Sequence, residues 1–323
     1  MESNQSEYRI VDLCAGTGGF SLAFHMSGIQ FKTIYANDME TFSKKIFQVN
    51  FPNVPFVCQN LLTVDISSIP GMDIILAGFS CQPFSIAGQR KGFEDNRSDV
   101  FWQILKIMNH HKPRVVVLEN VKNLISHDSG QSFDKIKLAI EEVGYKIKYK
   151  VLNTYKVSGV PQNRERVFII CFLNDTDYEL FEFPSSNAEL INFQNLLETH
   201  TIADKYYYTS KLKIYDKVIE NVKDEHVIYQ YRRHYFRTYD KGICPTLTAN
   251  MGSGGHNVPL IKDSQGVRKL TPRECFRFQG FPDTFIFPSE LKNSELYRLS
   301  GNAISVPVVQ KIAEKLLHVL NSS

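Results

Sequence analysis

The sequence predicts an α/β protein: a Rossmann-like domain on a largely parallel sheet, with a smaller, mostly β and irregular second domain. Three observations predict it. Apolar runs of strand length alternate with amphipathic helical stretches through the first half of the chain, the rhythm of βαβ units. A glycine-rich turn, Cys14-Ala15-Gly16-Thr17-Gly18-Gly19-Phe20, closes the first run, and Asp38 stands about twenty residues further on, the spacing of a nucleoside site in such units. From about Asn174 to about Gly266 the rhythm stops, and the chain turns polar, Tyr-rich and poor in helical stripes. The expected division is 1–173 with 296–323 for the first domain, and 174–295 for the second domain and its hinge.

Taken in order, residues 8–13 read as the first strand and 21–27 as a helix that Gly28 ends. Residues 31–36 read as a second strand, followed by Asn37-Asp38. Alone, the glycine turn fits a structural turn as well as a site; with Asp38 and the strand–helix rhythm it points to a nucleoside cofactor. Ser21 occupies the third position of a Gly-x-Gly-x-x-Gly pattern, and no Gly-Lys-Ser/Thr is present, which argues against a dinucleotide dehydrogenase and a triphosphate loop. Residues 41–50 predict a helix with Phe42, Ile46 and Val49 on one face, and 56–57 a short strand. Asn60 and Leu61, just beyond it, suit a cofactor base, or for Asn60 an ordinary turn.

The stretch 73–85 organises the rest. Its apolar first part predicts a buried parallel strand, and Gly78 permits a close backbone approach. Cys81 then stands at the carboxyl end, where open α/β sheets collect ligands and catalytic groups. A lone Cys is more often a small buried hydrophobe; the strand-end position and the polar, basic loop 87–98 favour a nucleophile. Ser98 suits a helix cap, and Val100, Phe101, Ile104, Leu105 and Met108 form one stripe. Residues 114–118 predict another buried strand, ending in Glu119-Asn120-Val121 on the side that carries Cys81. Glu119 there is either a surface carboxylate or a site group.

Phe133, Ile136, Ile140 and Val143 mark a helix closed by Gly144, and 145–152 and 167–172 read as strands. Alternation in the turn between them places Gln162, Arg164 and Arg166 on one face, suited to a base edge, a phosphate or a salt-bridged edge. In the second domain, Tyr229 to Arg237 interleaves Arg232, Arg233 and Arg237 with aromatics, as a nucleic-acid surface or an exposed hairpin would. Residues 245–256, with Thr246, read as a glycine-rich loop too flexible to be core. Pro272 sits at the start of a short helix, and Val309, Ile312, Leu316 and Leu320 face the core in a last helix that returns to the first domain.

Composition sets limits. A chain of 323 residues with 43% hydrophobic and 22% charged content is that of an ordinary globular protein, and no apolar run reaches membrane-spanning length. The polar N-terminus lacks a signal-peptide core. Six cysteines, none in a CxxC pair, predict reduced thiols in a cytoplasmic protein and no metal site. The net charge of +3 permits a nucleic-acid partner without arguing for one.

These motifs, in this order, resemble the DNA (cytosine-5) methyltransferases of bacterial and phage restriction-modification type over essentially the whole chain. The resemblance rests on Asp12 to Phe20, Asn37-Asp38, the Cys81 segment, Glu119-Asn120-Val121, Gln162-x-Arg164-x-Arg166, Arg268 to Pro282 and Gly301-Asn302. It implies a Rossmann-like S-adenosylmethionine-dependent methyltransferase domain, a target-recognition domain in the variable region, and a cytosine in duplex DNA as substrate. Cys81 would attack C6, Glu119 would stabilise the N3-protonated intermediate, and Arg166, supported by Arg164, would contact O2. Asp38 would hold the ribose, and Gly16, Thr17 and Gly19 would line the cofactor. Cys14, Met39, Asn60, Leu61, Gly78, Ser80, Asn302 and Ala303 complete the expected cofactor set. The target base must be flipped out of the duplex to reach Cys81, with the loop 87–97 as lid and Arg97 on a phosphate. Arg232, Arg233, Arg237 and Thr246 are the expected DNA contacts. A monomer beside a cognate restriction endonuclease is the family expectation.

The chain departs from the family pattern at Ser80, where Pro is usual, at Cys14 and Met39, where Phe and often Trp stand, and at Asn60, where Asp is common. Cys14 and Met39 remove aromatic stacking on adenine, which predicts weakened cofactor binding. Other readings are a tRNA-acting cytosine methyltransferase, a catalytically weakened DNA-binding relative and a non-enzymatic nucleoside-binding module. The variable region with Thr246-Leu247 favours DNA, and intact Cys81, Glu119 and Arg166 favour an enzyme.

Overall fold

A computed structural model describes residues 7–79, 100–232, 234–253 and 257–322. Ser80, Cys81, the loop 87–97 with Arg97, Ser98 and Arg233 lie outside the described residues. The chain divides into two compact units: Met1–Leu152 with Glu165–Ser185 and Val308–Ser323, and Asn153–Arg164 with Ser186–Pro307. The division thus falls at other residues than the 1–173, 174–295 and 296–323 expected. Residues 174–185 go with the first unit, and 153–164 and 296–307 with the second.

The first unit opens with β1 (Tyr8–Leu13), α1 (Gly19–Ser27), β2 (Phe31–Asp38), α2 (Thr41–Asn50), β3 (Phe56–Cys58) and β4 (Ile74–Gly78). It continues with α3 (Val100–His111), β5 (Val115–Val121), α4 (Gln131–Glu142) and β6 (Lys146–Asn153). The chain passes through α5 (Thr154–Ser158) and β7 (Gln162–Asn163) before returning as β8 (Glu165–Phe172) and α6 (Asp175–Leu180). The seven-stranded sheet has the order β3-β2-β1-β4-β5-β8-β6. Strands β1 to β5 pair in parallel, and β8 runs antiparallel to β5. Ile74, Ile75, Leu76 and Ala77 of β4 are fully buried, as an unbroken apolar run between two helical layers must be. Each such side chain contributes about 1.5–3 kcal/mol of burial when large and aliphatic.

The helical stripes fall where the periodicity puts them. Helix α3 buries Phe101, Ile104, Leu105 and Met108, and α4 buries Phe133, Ile136 and Ile140. Two elements run past the expected bounds: α1 begins at Gly19, and β2 continues through Asn37 and Asp38. Asp38 is therefore the last residue of a strand, fixed by the sheet.

The second unit contains α7 (Tyr215–Asn221), β9 (Ile228–Arg232), β10 (Tyr235–Tyr239), β11 (Cys244–Pro245), β12 (Leu260–Asp263), β13 (Gly266–Lys269), α8 (Pro272–Phe278) and α9 (Asn293–Asn302). Its antiparallel sheet has the order β10-β9-β12-β13, and β11 pairs with β7. One expectation fails here. The loop 245–256 is not wholly outside the core: Leu247 and Met251 are 1% and 3% exposed and pack with Phe193, Ile228, Leu270 and Phe278. Small and polar neighbours hide these two anchors in the sequence. The last helix, α10 (Val306–Ser322), buries Val309, Ile312, Leu316 and Leu320, and Tyr8 donates its hydroxyl to the Leu320 carbonyl at 2.9 Å within the first unit.

Candidate active site

Sheet register brings three motif positions together in the first unit. Gly78, at the end of β4, pairs with Glu119 on β5, and Val121 of β5 pairs with Arg166 on β8. Arg166 Nε lies 3.0 Å from Glu119 Oε1, with both side chains largely enclosed. The Arg166 guanidinium also donates to the Glu165 carbonyl at 2.8 Å, which fixes its plane. A Cβ built on Gly78 would stand 3.6 Å from Glu119 Oε2, in ordinary contact, which places the backbone of Gly78 next to the carboxylate. Asn120 follows Glu119 in the same motif. It is buried, and its Nδ2 donates to the Phe79 carbonyl at 2.9 Å while its Oδ1 accepts the Val121 N–H at 2.7 Å. That clamp holds the backbone just before Ser80 and Cys81.

The glycine turn forms a second polar centre in the same unit. Asp38 Oδ2 accepts the Gly16 N–H at 2.9 Å, and its Oδ1 accepts the Glu40 N–H at 2.9 Å. Burial raises the proton affinity of Asp38 above that of an ordinary carboxylate, and these donors offset part of the rise. Cys14 adopts a left-handed backbone, φ 54°, and burial pushes its thiol up to about 12, so it stays protonated. Gly18, φ 78°, could carry no side chain, because a Cβ would meet Phe47 and Phe51 at under 3 Å. A Cβ on Gly16 would meet only the Cys14 carbonyl oxygen, at 4.0 Å. Thr17 and Gly19 are buried.

The remaining expected cofactor residues divide. Met39 is 63% exposed beside Asp38. Asn60 caps a 3-10 turn by accepting the Leu62 N–H at 3.1 Å, and Leu61 is packed in the core. Both therefore have local structural work. Asn302 is exposed at the end of α9, and Ala303 is buried in the second unit.

The expectation that Gln162, Arg164 and Arg166 share one working face needs correction. Arg166 belongs to the first unit, whereas Gln162 and Arg164 are buried in the second. Arg164 donates to the carbonyls of Leu247 at 3.0 Å, Gly301 at 3.3 Å and Ala303 at 2.7 Å. Gln162 donates to the Phe278 carbonyl at 2.6 Å and accepts the Leu247 N–H at 3.3 Å. Strict alternation fails because β7 ends at Asn163 and β8 starts afresh at Glu165. Among the DNA candidates, Arg232 and Arg237 are exposed on the β9–β10 hairpin, and Arg237 lies over the Tyr235 ring with 5.4 Å to its centroid. Thr246 donates its hydroxyl to the Asn163 carbonyl at 2.6 Å.

Glu119 and Arg166 thus pair on adjoining strands, and the glycine turn with Asp38 lies in the same unit, on a largely parallel Rossmann-like sheet. A sequence profile of the C-5 cytosine-specific DNA methylases matches residues 8–318. The chain belongs to that family and is a DNA (cytosine-5-)-methyltransferase. It is 43% identical over 311 residues to the type II methyltransferase M.Bsp6I of Bacillus sp. (strain RFL6), covering 95% of this chain and 98% of that one. It is 36% identical over 315 residues to the type II methyltransferase M.HaeII of Haemophilus aegyptius, covering 98% and 94%. Among solved structures, Dnmt2 methyltransferase of S. pombe superposes with a TM-score of 0.75 at 20% identity, covering 98% of this chain and all of that one, a likeness of fold. The family and fold are those of S-adenosylmethionine-dependent methyltransferases. No helix among the described residues is long and apolar enough to cross a membrane.

Proposed function

We propose that the protein methylates C5 of a flipped-out cytosine within a short duplex DNA site, using S-adenosylmethionine and a transient Cys81–C6 bond. The observation that carries this reading is the Glu119–Arg166 pair at the strand end next to Gly78, with Asn120 gripping the Phe79 carbonyl just before Cys81. The glycine turn supports the cofactor. Asp12 Oδ1 and Asn37 Oδ1 are buried without a partner, a Cβ on Gly16 would meet only the Cys14 carbonyl oxygen at 4.0 Å, and no side-chain cation pairs with Asp12 or Asp38 among the described residues. Such a lining suits a nucleoside that carries positive charge. Asp38 would hold its ribose hydroxyls, with Gly16, Thr17, Gly19, Cys14 and Met39 around it. When bound, S-adenosylmethionine supplies an electrophilic methyl group on a sulfonium.

The residues answer the difficulty of the reaction. Cytosine C5 is a poor nucleophile. Addition of the Cys81 thiolate to C6 breaks the ring's conjugation and moves electron density to C5. Glu119 would hold a proton at N3, so that the ring does not accumulate negative charge as the C6–S bond forms. Arg166, already oriented by Glu119 and the Glu165 carbonyl, would donate to O2. After transfer, loss of the C5 proton to a base and cleavage of the C6–S bond return Cys81 as thiolate. Arg164 would act as a positioning residue, through the three carbonyls it holds. The second unit would read the DNA through Arg232, Arg233, Arg237 and Thr246. A restriction endonuclease of the same site would be the functional partner.

The test is tritiated methyl transfer from S-adenosylmethionine to unmethylated duplex DNA, wild type against Cys81→Ala, with bisulfite sequencing. Label at C5 of one short motif, absent from the variant, is expected. Label on tRNA and none on duplex DNA would overturn the substrate assignment. Label that persists in Cys81→Ala would overturn the covalent step.

A further inference from the structure

Two carboxylates of the first unit are wholly enclosed, and they are treated differently. Asp177 faces Arg114, whose Nε and Nη2 lie 2.7 Å and 2.8 Å from its two oxygens, and it accepts a further bond from Asn174 at 2.8 Å. Asp12, at the end of β1, meets no cation among the described residues. Its Oδ2 accepts the Ser21 hydroxyl at 2.6 Å and the Ser21 N–H at 3.3 Å, and its Oδ1 has no partner. Buried carboxylates are ordinarily paired or fully hydrogen-bonded, because an isolated charge in a low-dielectric interior costs several kcal/mol.

The surroundings deepen the anomaly. Asp12 stands opposite apolar Ala36 on β2 and Leu76 on β4. The ionisable group that acts on it is Asp38, from the end of β2, and Asp12 in turn helps to raise the Cys14 thiol in the turn. Ser21 ties it to the first turn of α1. Burial, opposed by the two Ser21 bonds and reinforced by Asp38, lifts its proton affinity to about 7. The glycine turn is thus anchored by a carboxyl group with one oxygen unused, beside a second carboxylate and, among the described residues, without a positive side chain.

We propose that Asp12 is a positioning residue that holds the glycine turn as a carboxylic acid and releases its proton to solvent when the cationic cofactor binds. This rests on the reading of S-adenosylmethionine as cofactor. On release the O–H bond of Asp12 breaks, the carboxylate remains on Ser21, and the ligand's positive charge offsets a carboxylate that meets no cation among the described residues. By linkage, cofactor affinity rises with pH up to the neutral range and levels off above it.

The experiment is isothermal titration of the full-length protein with S-adenosylmethionine at about pH 7, in phosphate and in Tris. These buffers differ widely in ionisation enthalpy. A release of roughly half a proton per cofactor bound is expected for wild type, and none for Asp12→Asn. Because that variant could be misfolded, carboxyl-labelled aspartate NMR follows the wild-type Asp12 directly. Its midpoint should fall by at least about one pH unit on cofactor addition. Cofactor binding with equal heats in both buffers, or an Asp12 midpoint below about pH 5 in the free protein, would overturn the proposal. Failure of S-adenosylmethionine to bind at all would instead overturn the cofactor reading, and the proposal with it.

Discussion

Asp12 and Glu274 are both fully buried carboxylates, one in each unit, and they have opposite surroundings. Glu274 accepts both terminal nitrogens of Arg268 at 2.8 Å, the Thr271 N–H at 2.8 Å and the Glu198 N–H at 3.0 Å. Arg268 is itself completed by Asp263 at 2.6 Å. Asp12 has Ser21 alone among the described residues. A network closed by the protein's own groups specifies a fold, while a buried group left open marks where something else is to arrive. Sequence motifs do not draw this distinction, because both carboxylates sit inside recognisable motif segments.

The largest expected effect breaks the closed side. Arg268→Ala leaves Glu274 charged, buried and uncompensated, which should cost about 3–5 kcal/mol of stability. Urea unfolding would show it as a lower midpoint at unchanged slope. The double variant Arg268→Met/Glu274→Leu should recover most of that loss, since a packed apolar pair is often as stable as a buried ion pair. A single variant within about 1 kcal/mol of wild type would mean that the network is not what holds this region.

Glu119→Gln tests the open side at the chemical step. The amide keeps the size of the side chain and a hydrogen-bond acceptor for Arg166, so the melting temperature should stay near wild type. Turnover should fall by about a hundred- to ten-thousand-fold, the usual range for a positioned acid–base group. Burst kinetics on duplex DNA would assign the loss to chemistry. A parallel fall in melting temperature would place Glu119 with the structural carboxylates instead.

Asp12→Asn should sharpen the contrast through pH. A carboxyl group that binds its proton more tightly folded than unfolded contributes stability on the acid side. That contribution is lost as pH rises from the ordinary carboxylate range towards 7. Wild type should therefore lose about 2 kcal/mol relative to Asp12→Asn between about pH 5.5 and about pH 8. Chemical denaturation of both proteins at the two pH values measures it. Parallel pH profiles would show that Asp12 is ionised throughout.

Arg237 is an open group of the second unit. It is exposed and held by the Tyr235 hydroxyl at 2.8 Å. Arg237→Ala should leave melting unchanged and weaken duplex DNA binding several-fold. If the contact is to a phosphate, the salt dependence should drop by about one unit of slope and no base preference should change. A relaxed target site at constant slope would assign Arg237 to a base edge.

How much of this was legible follows from what each residue does. The parallel strands and helical stripes were plain because burial on both faces writes an unbroken apolar run and a helical period, as in 74–77 and Phe101 to Met108. The strand-end positions of Gly78 and Glu119 followed from those runs. That Gln162 and Arg164 hold backbone carbonyls was not legible, because hydrogen-bonding side chains look alike whether they await a ligand or bind the chain itself. The break between β7 and β8 has no mark of its own. Leu247 and Met251 were hidden by glycine and polar neighbours. Asp12 gives no sign of its own in the sequence, because its partner Ser21 lies nine residues on and the lack of a cation among the described residues is a matter of packing.

The smallest expected effect concerns the adenosine end of the same open centre. Cys14 and Met39 stand where the family commonly has aromatic residues. Met39 is 63% exposed, so Met39→Trp adds a flat surface with no core to disturb. Cys14 already occupies the left-handed region at φ 54°. Cys14→Phe inherits that backbone cost and changes only what is offered to the base. An aromatic contact is worth about 0.5–1.5 kcal/mol, so each variant should tighten S-adenosylmethionine binding by about two- to tenfold. Calorimetry at fixed pH reads the change directly. Affinity no tighter than wild type in both variants would show that these departures cost the protein nothing, and that its electrostatics rather than stacking set the strength of the site. Tighter binding in Met39→Trp alone would assign the base to the exposed side of β2 and leave Cys14 as a turn residue.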